Sequence, residues 1–347
     1  MKNLIFICCI IIILFKTGNV LSNSDIFNVN NIEIDKKTYK NKDKLVNKAF
    51  LLGYDRLINR LLMQDDYKKI SNINLNKIKE LISYYQIINP ENKKNSNSVK
   101  INVYFDKDRI HNFFYNKNIL YSDITNTEII LFPLLKKENK YFIYAQNYFY
   151  ENWIEESSDS LIQYSLPVEN IESIQKINLI KENIYDLDIS NFFKEYKINN
   201  KVFTEISIKD KTADIFLIVK VNEKKINKSI KITRTENISD ESFYKKIILE
   251  INIIVRDLIK QQNLIDVRTP SFLNVKIKLK NKNNLIILNN KLKKIDLINN
   301  FYVQQLNKDY ALVKIKYLGK IKKIINKLKE QNINLKIING EWEINIT

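Results

Sequence analysis

With 347 residues, 45% of them hydrophobic and 28% charged, the chain is long enough for two or three domains and apolar enough to bury their cores, which excludes a disordered protein. The net charge of +18 raises nucleic acid as a partner, since clustered Lys and Arg neutralise phosphates. Only six of the 57 basic residues are Arg, however, and Ala, Gly and Pro occur four times each while Asn, Lys and Ile abound. An AT-rich coding sequence writes that composition with Lys spread along the chain. The charge therefore reads as dispersed and solubilising, and no nucleic acid is expected as a partner.

Met1-Lys2-Asn3 gives a positive start, Leu4 to Phe15 runs as twelve unbroken apolar residues, and Val20-Leu21-Ser22 offers a cleavage site. That is the layout of a secretory signal peptide over residues 1–22, cut between Ser22 and Asn23. Twelve apolar residues fall short of the roughly 20 a membrane-spanning helix needs. Cys8 and Cys9, the chain's only cysteines, lie inside this run, so cleavage leaves no thiol for a disulfide, a nucleophile or a metal site. Two alternatives stay open. The segment remains as an N-terminal inner-membrane anchor, the one case with membrane contact, or it is lipidated at a cysteine. Ile10 to Phe15, apolar directly after Cys9, speak against lipidation.

Residues 23–125 read as an N-terminal α+β domain. Phe27, Val29, Ile32 and Ile34 mark a strand, and stripes through Leu45, Ala49, Phe50, Leu57 and Leu61 predict a helix from about Lys42 to Met63. A short helix at 74–84, a strand at 85–88, a polar loop at 89–98 with Pro90 and an alternating strand Val99 to Phe105 follow. Asp106 is placed to cap a helix carrying Ile110, Phe113 and Phe114.

Residues 126–262 read as a central α/β domain. Glu128 to Leu134 has the apolar run of a buried strand ending at Pro133, Tyr141 to Tyr144 a partner for it, and Tyr148, Phe149 and Trp153 an aromatic helix. The stretch 167–188 carries no clear period and reads as loop with short elements, followed by a helix at Ser190 to Tyr196. Strands at 202–208, 214–221 and 226–233 precede a long helix from Ser239 to about Gln262, with Ser239 as cap and Asp240-Glu241 in its first turn. A linker at 263–271 containing Pro270 leads to residues 272–347. There the order strand, helix, strand, strand, helix, strand, closed by an Asn339-Gly340 hairpin, predicts a ferredoxin-like βαββαβ unit. The fold class is thus α+β and multi-domain, with mixed and antiparallel sheets and packed helices.

Ala49 to Leu62, Leu81 to Tyr85, Val103 to Asp106, Ile130 to Pro133, Asn147 with Trp153, Tyr317-Leu318-Gly319 and Gly340-Glu341-Trp342 occur in one succession. That succession resembles an uncharacterised bacterial secreted family, domain of unknown function number two thousand and sixty-six. The resemblance implies export but no activity and no catalytic residues. Asp188 to Gln262 is also similar to the fold of the TolB N-terminal domain, a likeness that implies no function.

His111 is the sole histidine, so any Ser-His-Asp triad must pass through it, yet its helical neighbours Ile110, Phe113 and Phe114 mark it as structural. Beyond the signal segment only Gly53, Gly319 and Gly340 remain, too scattered for a phosphate-binding or dinucleotide loop. No calcium loop is written, and no cofactor or metal is expected. Glu155, Glu156 and Asp159 could pair as acids for glycoside chemistry, although a charged helix end explains them better. Tyr148, Tyr150 and Trp153 are candidates for a stacking platform against their alternative as core residues. These features together predict an exported, periplasmic, non-enzymatic protein that binds or scaffolds an envelope protein partner. A carboxylate-dependent cell-wall enzyme and a lysine-driven binder of anionic polymer or lipid stand as alternatives.

Overall fold

A computed structural model describes residues 26–36, 41–88, 98–156, 161–180, 183–221, 223–279 and 283–346. The predicted signal peptide, its Ser22–Asn23 cleavage point and most of the 89–98 loop lie outside the described residues. Chain order begins with β1 (Asn28–Asp35), α1 (Lys42–Leu61), α2 (Gln64–Ile70), α3 (Leu75–Leu81), β2 (Ile82–Ile88), β3 (Ser98–Phe105) and α4 (Lys107–Lys117). It continues with β4 (Tyr121–Ser122), β5 (Thr127–Lys137), β6 (Lys140–Phe142), α5 (Tyr148–Glu156), β7 (Ile162–Ser165), α6 (Ile171–Ile180) and α7 (Ile189–Phe192). Next come β8 (Asn200–Lys209), β9 (Thr212–Val221), β10 (Lys224–Thr233), α8 (Asp240–Gln261) and β11 (Leu264–Ile265). The last elements are β12 (Ser271–Lys278), α9 (Asn284–Leu292), β13 (Ile298–Leu306), β14 (Tyr310–Tyr317), α10 (Ile321–Glu330), β15 (Ile333–Ile338) and β16 (Glu341–Ile346). The fold is α+β and multi-domain, with mixed and antiparallel sheets. Among the described residues, no helix is long and apolar enough to cross a membrane.

Two compact units share these elements. One takes the residues up to Ala49, Leu81–Ile110 and everything from Thr269 on; the other takes Phe50–Glu80 and His111–Arg268. In the first unit β1, β3 and β2 form an antiparallel sheet in that order. Val99, Ile101, Val103 and Phe105 alternate into its core, as a half-buried strand requires. The register of β1 slips between Val29 and Ile32, where Asn31 takes a φ of 56° and its N–H donates to the Asn102 carboxamide oxygen at 2.8 Å. Asp106 does cap α4, accepting from the Arg109 N–H at 3.0 Å.

The same unit holds a five-stranded sheet in the order β13-β14-β12-β16-β15. β14 lies antiparallel between β12 and β13, which gives the split β-α-β of the expected βαββαβ unit. The added strand β16 stands between β12 and β15, parallel to β12 through the pairs Lys276–Glu343 and Ile277–Ile344. Asn339 and Gly340, at φ 52° and 82°, make the two-residue hairpin turn that their sequence announces.

In the second unit the sheet runs β10-β9-β8-β5-β6, with β7 also paired to β5. β5 is parallel to both β7 and β8. Helices cover both faces, which explains why β5 reads as an uninterrupted apolar run. On one face Phe149 and Trp153 of α5 and Ile247, Ile251 and Val255 of α8 pack on Leu131, Val202 and Leu217. On the other, Ile177, Ile189, Phe192 and Phe193 cover Phe132, Phe203 and Ile218. Ser239 caps α8 by accepting from the Ser242 N–H at 3.2 Å.

Four readings change. Pro133 does not end β5 but sits inside it, opposite Thr204 of β8. The far edge of β5 pairs with β7 only from Thr127 to Ile130 and with β6 only from Leu135 to Lys137. A proline, having no N–H to give, fits the gap between them. The 167–188 stretch holds the ten-residue α6, whereas the helix expected at 190–196 shrinks to α7, capped by the Asp188 carboxylate. The 264–265 part of the linker is a strand, paired with β4. α2 was not legible at all, since its seven residues carry one buried side chain, Ile70.

Lys260 on α8 is 1% exposed, and its ammonium donates to the carbonyls of Asn59 and Leu62, each at 2.6 Å, at the C-terminal end of α1. A cation there satisfies orphan carbonyls and meets the negative end of the helix dipole. Replacement by Met, which keeps the stem but removes the donors, should cost about 2–4 kcal/mol in equilibrium urea unfolding. A loss below about 1 kcal/mol would mean that those carbonyls find other donors.

Candidate functional site

α5 is positioned by Asn147, which is fully buried. Its carboxamide oxygen accepts from the N–H groups of Phe149 and Tyr150, at 3.1 and 3.3 Å, and so caps the helix. Its nitrogen donates to the carbonyls of Pro133, Phe142 and Ile143 at 2.7, 3.0 and 3.0 Å. The helix periodicity then separates the three candidate platform residues. Trp153 is fully buried, edge-on to the Tyr164 ring at 6.0 Å. Its indole nitrogen has no hydrogen-bond partner among the described residues.

Tyr148 turns toward α8, its ring 5.1 Å from that of Tyr244. Tyr150 packs beside the opposite cluster, edge-on to Tyr144 at 5.0 Å, and its hydroxyl donates to the Pro167 carbonyl at 2.8 Å. Burial holds the pKa of both tyrosines above the usual phenol value, because desolvation disfavours the phenolate. No shared exposed face joins these three rings.

The carboxylate candidates fare similarly. Glu156 is paired with Lys245 at 2.9 Å, and Lys245 also meets Glu241 at 3.0 Å. Those two hydrogen-bonded carboxylates push the lysine above its ordinary range. Asp159 lies outside the described residues. His111 is buried and shares a hydrogen bond between Nε2 and the Tyr121 hydroxyl, at 3.1 Å. Among the described residues, no group of three or more His, Cys, Asp or Glu is placed to hold a metal ion.

A cleft not anticipated from the sequence lies on the outer face of β8, β9 and β10. The helical cover over Phe203 and Ile218 stops short of their far ends. Beyond it the alternation sends Glu205, Ser207 and Lys209 outward on β8, Asp214 and Phe216 on β9, and Ser229 and Lys231 on β10. The cleft holds about 490 Å³, with the Tyr185 ring 4.5 Å from that of Phe216. Asp214 sits 3.5 Å from both Lys209 and Lys231. A second cleft of about 500 Å³ shares Lys136, Ser207 and Lys209 and reaches Arg234 and Asp240 at the start of α8.

Half-buried Glu205 is held above the usual carboxylate range by desolvation, against the opposing pull of Lys136 and Lys209. Lys136 is itself raised by its hydrogen bond with Tyr141, over whose ring its ammonium lies at 5.0 Å. Paired charges around two rings suit the binding of a polar partner, and no imidazole is among the lining residues. The polar alternation of β8 is visible in sequence. Where its helical cover stops is not.

No family model matches the chain. No curated protein matches it either. Among solved structures, a lipoprotein from Neisseria meningitidis is similar over 36% of this chain and 93% of its own, with 11% identity and a TM-score of 0.22. An uncharacterised protein is similar over 40% of this chain and 93% of its own, with 5% identity and a TM-score of 0.21.

Glu205→Gln tests the electrostatics of the cleft. A carboxyl whose native value is raised binds its proton more tightly folded than unfolded, so it supports folding at acid pH and that support is lost as pH rises through the native value. The glutamine variant should therefore melt higher than the parent at neutral pH and show a flatter stability profile just above the ordinary carboxylate range. Equal melting temperatures across that range would show that Glu205 is solvated as freely in the folded protein as in the unfolded chain.

Proposed function

We propose that the protein is exported to the periplasm and acts there as a non-catalytic binding or scaffolding protein, belonging to the uncharacterised secreted family it resembles. The observation that carries this reading is the outer-face cleft around Glu205, Tyr185 and Phe216, where cations, carboxylates and rings are offered together. The only histidine is buried against Tyr121 and is not among the residues lining that cleft, which supports binding over acid–base catalysis. A partner protein with a mixed-charge, ring-bearing surface fits the cleft, because complementary charges set register while rings supply contact area.

Two measurements check this. N-terminal sequencing of the protein from the periplasmic fraction should begin at Asn23, and a start at Met1 in the inner membrane would replace export with anchoring. A photo-crosslinking residue in place of exposed Tyr185 should give one discrete adduct in living cells, absent when the same group replaces exposed Leu249 on α8. Identical patterns from both positions would remove the cleft as the binding surface.

A further inference from the structure

Residues 271–347 contain 16 Lys, no Arg and five Asp or Glu, so fewer than a quarter of the residues hold +11 of the chain's net +18. The charge is concentrated, which corrects the expectation that it is dispersed. The five-stranded sheet of this segment buries one face, through Val275, Ile277, Val313 and Ile315, and exposes the other. On the exposed face the register sets Lys316 between Phe272 of β12 and Asn300 of β13, and Lys314 between Asn274 of β12 and Tyr302 of β13. Two lysines on the central strand are thus flanked on each side by one ring and one amide. Phe272 and Tyr302 are 49% and 47% exposed.

The lysines of this face differ in their partners. Lys276 and Lys278 meet Glu341 and Glu343, at 3.7 and 3.1 Å. Lys314 and Lys316 have no carboxylate partner among the described residues, and the Lys314 ammonium rests 4.4 Å from the Phe272 ring centroid. An anion approaching this row would draw that ammonium off the ring and uncover an apolar surface beside the new ion pair.

We infer that this face binds an acidic polysaccharide. The rings, two strands across and two residues along in register and so about 12 Å apart, offer flat apolar surfaces to the C–H faces of sugars along a chain. The Asn274 and Asn300 amides each supply donors and an acceptor for hydroxyls. Lys314 and Lys316 meet carboxylates or phosphates as compact point charges. Single-stranded nucleic acid would share the rings and the charges. The segment has none of the Arg forks that suit phosphate and guanine, whereas its amides match a hydroxyl-rich chain. Preferring a glycan also rests on the proposed envelope location, which N-terminal sequencing tests separately.

The test is the anisotropy of fluorescein-labelled polygalacturonate titrated with the full-length protein at low and high salt. Binding should be micromolar or tighter at low salt and fall as salt screens the lysines. The double variant Lys314→Gln with Lys316→Gln should bind about tenfold more weakly, with a shallower salt dependence. Phe272→Ala with Tyr302→Ala should weaken binding by about tenfold while leaving the salt dependence unchanged. Lys322→Gln with Lys323→Gln on α10 removes the same charge elsewhere in the segment and should change affinity by less than about twofold. Far-ultraviolet circular dichroism confirms that each variant is folded. An equal loss from the α10 variant, an unaltered ring variant, or tighter binding of an oligothymidine than of polygalacturonate would each overturn the inference.

Discussion

The carboxamide of Asn147 donates to the backbone carbonyl of Pro133 in mid-sheet, where neither β6 nor β7 reaches. β5 is the strand on which the larger sheet is organised, because β6, β7 and β8 all pair with it. Pro133, the seventh of its eleven residues, has no N–H, and neither β6 nor β7 pairs with β5 at that point. Asn147 takes the free carbonyl there, gathers the carbonyls of Phe142 and Ile143 from the turn after β6, and uses its oxygen to start α5. One buried side chain therefore fixes the gap in the sheet, the end of a strand and the beginning of a helix. Because α5 starts at that point, Phe149 and Trp153 fall on the core side and Tyr150 on the other.

A second polar constraint organises the helical side of the same unit. α8 carries Asp257 and Lys260 one turn apart. The carboxylate accepts from the Gln64 N–H, at 3.1 and 3.2 Å, where α2 begins, while the ammonium takes the last carbonyls of α1. An anion at a helix start and a cation at a helix end are each the favourable sign. The corner between α1 and α2 is thus held by a charge pair whose members face opposite helix poles. Burial works against the anion, raising Asp257 above the usual carboxylate range.

How much of this was legible follows from the range of each interaction. Local signals were reliable: Ser239 and Asp106 cap their helices, Asn339-Gly340 makes its turn, and the alternation Val99 to Phe105 is a strand. Each depends on residues within a few positions of one another. What needed the third dimension was misplaced or missed. Pro133 looked like a stop because proline normally ends a strand, and only the short lengths of β6 and β7 make its place tolerable. Trp153 could be read as platform or core until the helix face was fixed from Asn147. Nothing in the sequence sets Lys260 apart from the other lysines of α8, since its carbonyl partners lie about 200 residues away. The ring–lysine face on β12, β13 and β14 joins residues up to 44 positions apart in sequence, and only the register brings them into rows.

The scarcity of glycine leaves a trace in the backbone that reaches beyond the native fold. Among the described residues, eleven non-glycine residues, seven of them Asn, hold positive φ. Asn tolerates that region better than other L-residues because its short side chain bonds locally. Unlike glycine, it does not roam freely when the chain is unfolded. Each such turn closes from a narrower denatured ensemble than glycine would give, but its left-handed backbone costs an L-residue about 1–2 kcal/mol. The smaller entropy lost on folding therefore offsets only part of the backbone strain at these turns, and replacing one of these residues by glycine trades the one against the other.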